Sequence, residues 1–246
     1  MKIIKKASFF TFAFVALISC RKAELEDNSL AALNTAVSAE EASTMIQYAI
    51  SSETAGLSTL VTDLSSLTKI KNTPSYCGKS KDSTVTKSKS SASSLHSYSY
   101  SMNWSWILNC STTKVPSSFT NKSSFSGQYK TPKVISSDNG ESNMTIAGLD
   151  AQSTNYKYTG SYVKNGTQSL SIVQAKDVTS TITLNITDIQ VSKSTLKIQS
   201  GGKASVVIEG KSSTGKTFSY TGTIVFNGNG SATININGSK EYNVQI

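Results

Sequence analysis

The sequence predicts a mainly β fold, an antiparallel meander forming a sandwich or a curved, partly closed barrel, with a short N-terminal helical section. Three observations predict it. Apolar residues recur with period two from about Tyr76 to Ile246. Asn-Gly, Gly-Gly and Ser-Thr-Gly pieces punctuate that alternation as hairpin turns do. Helical periodicity is confined to residues 37–73.

The helical section comes first. Ser38-Ala39-Glu40-Glu41 is a capping box, with Ser38 at the N-cap and Glu41 three residues on. Ala42, Met45, Ile46, Ala49 and Ile50 then follow the i, i+3, i+4, i+7, i+8 rule of an amphipathic helix. After Gly56, Leu57, Leu60, Val61 and Leu64 repeat the pattern, with Leu67 beyond, and predict a second, shorter helix. Pro74 closes the section.

The strands follow. Over Leu95 to Cys110, His96, Tyr98, Tyr100, Met102, Trp104, Trp106, Leu108 and Cys110 share one face, opposite a Ser- and Asn-rich face. A continuous strand of that length is unusual, so a bend or bulge is expected. Tyr156, Tyr158 and Tyr162 share a face before an expected hairpin turn at Asn165-Gly166. Val178, Ile182, Leu184 and Ile186 share another, and Ile189 and Val191 switch parity, which predicts a bulge near Thr187-Asp188. Leu196 and Ile198, Ala204 to Ile208, Phe218 to Phe226, Ala232 to Ile236 and Tyr242 to Ile246 predict five strands. The turns between them are expected at Gly201-Gly202, Ser213-Thr214-Gly215, Asn227 to Gly230 and Asn237-Gly238.

The N-terminus carries an address. Met1 to Lys6 is basic, and Ala7 to Ile18 is an apolar run too short to span a bilayer but right for a secretory signal. It ends in Leu17-Ile18-Ser19-Cys20, which resembles the lipobox of bacterial lipoprotein signal peptides. The resemblance covers the first 20 residues only. It implies removal of residues 1–19, palmitate-type acylation of Cys20, and a membrane partner reached through the lipid, since several acyl chains together give a stable anchor. Arg21, rather than Asp, follows the cysteine, and this implies the outer membrane. The cluster Glu24, Glu26 and Asp27 resembles acidic surface-export signals of some gram-negative lipoproteins, but cell surface and periplasmic face both stay open. The resulting division is signal peptide 1–19, lipidated cysteine and flexible tether 20–36, helical segment 37–73 and β domain 74–246.

Composition narrows the function. The formal charge is +9, three units of which lie on Lys2, Lys5 and Lys6 in the signal. Arg21 is the only arginine, so the bidentate guanidinium contacts of nucleic-acid readers are missing and no nucleic-acid partner is expected. Beyond Cys20 the cysteines are Cys77 and Cys110, an even pair in an oxidising compartment, and a disulfide is expected. It would tether Gly78 to Ser94, which reads as a polar low-complexity loop. Within it, Asp82-Ser83-Thr84 resembles a three-residue O-glycosylation motif of exported gram-negative proteins and implies Ser83 as the acceptor.

Chemistry is sparse. His96, the one histidine, sits among aromatics with no visible partner. The acids are scattered, and Asp138-Asn139-Gly140-Glu141 reads as a polar turn, with a loose calcium loop as the alternative. No catalytic residue, metal ligand or cofactor is expected. Tyr98, Tyr100, Trp104 and Trp106 read as core, because Met102, Leu108 and Cys110 share their face; a ligand-facing platform for sugars is the other reading. The expectation is a non-catalytic cell-envelope lipoprotein presenting a β scaffold to a protein or glycan. A lipid or lipoprotein carrier with an apolar cavity in the periplasm is the alternative.

Overall fold

The computed structural model describes residues 37–90 and 95–246. Cys20, the signal peptide and the tether lie outside the described residues. Helix α1 (Ala39–Ile50) starts at the capping box: the Ser38 N–H donates to Glu41 Oε2 at 2.8 Å, and the Glu41 N–H to Ser38 Oγ at 3.2 Å. Helix α2 (Leu57–Lys71) begins after Gly56, and a single 3-10 turn at Pro74–Tyr76 leads into the sheet.

Ten strands then form one antiparallel sheet in sequence order: β1 (Ser80–Lys89), β2 (Ser97–Cys110), β3 (Pro116–Lys130), β4 (Val134–Ala147), β5 (Asn155–Leu170), β6 (Lys176–Ser192), β7 (Ser200–Ser212), β8 (Thr217–Gly228), β9 (Ser231–Ile236) and β10 (Glu241–Gln245). The sheet is curved but not closed, because β1 and β10 do not pair with each other. A meander of nearest-neighbour hairpins is what the short polar turns dictate.

One face of the sheet is apolar and holds both helices. Met45, Ile46, Ile50, Leu57, Leu60 and Leu64 are each at most 1% exposed, packed with Leu108, Phe119, Ile146, Tyr158, Leu184 and Ile234 in one core. Polar ties fix the arrangement. Tyr158 Oη on β5 lies 2.6 Å from Ser65 Oγ and 3.1 Å from the Val61 carbonyl oxygen on α2. The Tyr220 hydroxyl on β8 donates to the Val37 carbonyl, and Lys176 on β6 pairs with Glu41 at 3.1 Å. On the first edge Lys87 and Lys89 of β1 pair with Asp63 and Glu53. On the last edge the Gln47 amide donates to the Gln245 carbonyl of β10. The helical section thus reaches both free edges of the sheet that curls around it.

Several sequence expectations are corrected. The stretch read as a polar loop is edge strand β1 over Ser80–Lys89, paired residue by residue with β2. Apart from Val85 its side chains are polar on both faces, so no period betrayed it. Asn165-Gly166 is no turn: both lie inside β5, opposite Asn139 and Asp138 of β4. Asp138 to Glu141 is likewise neither turn nor calcium loop but the middle of β4. Gly201-Gly202 sits within β7 at a register shift against β8, and Leu196 and Ile198 fall in the β6–β7 connection, so four strands, not five, complete the chain. Strand β2 is uninterrupted until a shift at Asn109/Cys110. The bulge expected near Thr187-Asp188 is present, as a shift between Ile186 and Asp188.

Candidate functional site

The aromatic stripe of β2 faces inward. Tyr100, Trp104 and Trp106 are 4%, 6% and 3% exposed, and Tyr98 is half-buried. Trp106 stacks on Phe119 with ring centres 5.2 Å apart, and Tyr100 meets Phe125 edge-on at 6.4 Å. These contacts account for Tyr100, Trp104 and Trp106 as core, and the ligand-facing platform is corrected at those three: a sugar has no access to rings closed off by strands and helices. His96 is half-buried with its ring 6.4 Å from that of Tyr48.

The inward face also carries charge. Lys164 on β5 and Asp138 on β4 form an ion pair at 2.9 Å, with side chains 3% and 0% exposed. Glycines make room for it. Asp138 lies opposite Gly166 and Lys164 opposite Gly140, so the two side chains meet diagonally across positions that carry no Cβ. A Cβ at Gly166 would strike Asp138 Oδ1. The Tyr100 hydroxyl donates to Asp138 Oδ2 at 2.6 Å, and Ser136 Oγ and Gln168 Nε2 donate to Oδ1 at 2.5 and 3.4 Å. The Ser180 hydroxyl in turn donates to Gln168 Oε1. Lys164 Nζ stands 4.5 Å from the centre of the Tyr129 ring. Burial pushes the Lys164 ammonium below its ordinary pKa, while Asp138 works the other way. Burial and the Asp138 charge raise the phenol pKa values of Tyr100, Tyr129 and Tyr162, so all three stay neutral.

The outward face is different in kind. From β1 to β5 it forms an open groove of about 750 Å3. Two transverse rows line it. Asp82, Ser105, Lys122, Asn143 and Ser161 are successive cross-strand partners, and so are Thr84, Asn103, Ser124 and Glu141. Thr84 Oγ1 donates to Asn103 Oδ1 at 2.8 Å along the second row. Neighbouring strands are about 4.8 Å apart, which sets the pitch of both rows.

Cys77 and Cys110 are joined by a disulfide with Cα atoms 5.5 Å apart, which ties the turn after α2 to the end of β2. Ser83 lies on edge strand β1, exposed, rather than in a loop. Among the described residues no three His, Cys, Asp or Glu side chains gather as a metal site, and no helix is long and apolar enough to cross a membrane.

Sequence reasoning missed Lys164 and Asp138. The signal was available: both fall on the apolar-face parity of their strands, Lys164 two residues after Tyr162 and Asp138 four after Val134. Turn-like Asn165-Gly166 and Asn139-Gly140 concealed it. No family model, no curated protein and no solved structure matches this chain.

Proposed function

We propose that the mature chain is a non-catalytic lipoprotein, anchored at the cell surface of the outer membrane through Cys20, that holds a glycan in the outward groove of its sheet. The observation that carries this reading is the division of labour between the two faces. The inward face is filled by the helical section, and the outward face offers a groove lined by hydroxyl, amide and a few charged groups.

The groove's chemistry favours a sugar over a protein. Protein interfaces draw their affinity from aromatic and apolar anchors at a dry centre, and this groove presents short Ser, Thr and Asn side chains instead. Rows repeating every 4.8 Å or so suit a regular, hydrated polymer laid across the strands. The carrier reading gains no support, because Met45, Ile46, Leu57, Leu60 and Leu64 occupy the place that a lipid would need. Arg21 and the acidic Glu24, Glu26 and Asp27 support the outer-surface address.

Calorimetry of the purified chain against neutral and anionic polysaccharides tests the glycan. Binding is expected to at least one, weakened about tenfold or more in the Asn103→Ala/Asn143→Ala double variant, the equivalent of two lost hydrogen bonds. Absence of saccharide binding, or binding indifferent to these two residues, would exclude the groove as a glycan site.

A further inference from the structure

The buried pair Lys164 and Asp138 has the geometry of an amide in waiting. We propose that Lys164 Nζ and Asp138 Cγ become joined by an intramolecular isopeptide bond that staples β5 to β4 inside the core. The amine nitrogen already stands 2.9 Å from Asp138 Oδ2, with both side chains essentially inaccessible to water. Asp138 lies opposite Gly166, where a Cβ would strike its Oδ1, and Lys164 lies opposite Gly140, so no side chain stands across from either partner.

The reaction needs no outside reagent. The Lys164 ammonium passes one proton to Asp138 Oδ2, leaving a free amine beside a neutral carboxylic acid. Desolvation favours that exchange, since it removes two charges from a low-dielectric site, and burial holds the lysine below its ordinary pKa. Nζ then attacks Cγ and forms the C–N bond. A second proton leaves Nζ for Oδ2, the Cγ–Oδ2 bond breaks, and one water departs. Both hydrogens of that water come from the ammonium and its oxygen from the carboxyl.

The neighbours are placed for each half of the step. The oxygen that stays, Oδ1, receives hydrogen bonds from Ser136 Oγ and Gln168 Nε2, the donors that a tetrahedral oxyanion requires. The oxygen that leaves, Oδ2, receives the Tyr100 hydroxyl at 2.6 Å. The rings of Tyr100, Phe125, Tyr129 and Tyr162 are each at most 6% exposed and shield the site from the bulk water that would stabilise separate ions. An amide also satisfies the pair better than an ion pair does, because it leaves no charge in the core. For a chain on the outer face of a cell, the staple would hold two central strands together after local opening.

Tryptic peptide mapping of the full mature protein, reduced and denatured, decides the matter. Residues 134–157, which hold Asp138, and residues 158–176, which hold Lys164, are expected as one branched species lighter than their sum by one water, with no cleavage after Lys164. In Lys164→Arg, which keeps the cation but cannot form this amide, residues 134–157 should appear alone at full mass, with separate peptides 158–164 and 165–176 from cleavage at position 164. Separate peptides in the wild-type chain, with cleavage after Lys164, would overturn the proposal, as would a water loss that persists in Lys164→Arg. The wild-type digest suffices if the variant does not fold.

Discussion

Gly127 on β3 lies under the ring of Tyr100, and a Cβ there would come within 2.6 Å of that ring and strike the Ser99 carbonyl. Gly140 under Phe125 and Gly210 under Phe218 repeat the arrangement. Their φ angles are not positive, so these residues are glycine for space rather than for backbone freedom. An aromatic side chain folded over a cross-strand glycine covers the bare backbone and lets the sheet bend sharply at that point. Gly127→Ala should therefore destabilise the fold by about 1–3 kcal/mol, the usual cost of overpacking. It would be read as a lowered denaturant midpoint with an unchanged slope. At this scale the sequence was only half legible. Periodicity placed Tyr100, Trp104, Trp106 and Tyr158 on the inward face correctly. Glycine beside asparagine or aspartate, however, has two physical uses, turning a chain and yielding to a neighbour's ring or carboxylate. One strand alone cannot distinguish them, because the second use depends on what lies across the ladder.

Among elements, the helical section was the most legible and β1 the least. Capping and a 3.6-residue period are local signals, and Ser38, Glu41 and the apolar positions from Ala42 to Ile50 supplied both. Edge strand β1 has no local signal. Its inward side chains include Lys81, Ser83, Lys87 and Lys89, partners of Trp106, Trp104, Tyr100 and Tyr98. Two of these lysines reach acids on the helical section instead of filling a core. Lysines on an exposed edge also discourage pairing with another chain. The disulfide ties the start of this region down: Cys77, just before β1, is held to Cys110 at the far end of β2. Loss of the bond through Cys77→Ser/Cys110→Ser should cost about 3–4 kcal/mol for a loop closed over a sequence separation of 33. Thermal unfolding with and without reductant measures it. A melting temperature indifferent to reduction would mean that pairing of β1 with β2 alone fixes the corner.

For the whole molecule, a ten-stranded meander wrapped on two helices explains how a chain rich in Ser, Thr, Asn and Lys finds a core. Each long strand contributes only its alternate residues to the interior, and the amphipathic helices supply the rest of the apolar contacts. Whether the sheet would close or stack was not legible, because closure depends on the two edge strands meeting. Here α1, α2 and the turn between them reach both edges, and the edges stay apart. Among the described residues the outcome is a filled inner face and an open outer face, the arrangement that the proposed display role needs. Display requires the right side of the membrane. Limited trypsin treatment of intact cells tests this most directly, since Arg21 and Lys22 stand just after Cys20, the proposed lipid site. The account predicts that the chain is released from the cells while a periplasmic control protein stays intact. Retention of the full mature protein until the outer membrane is broken would contradict it and place the sheet, with its groove, inside the envelope.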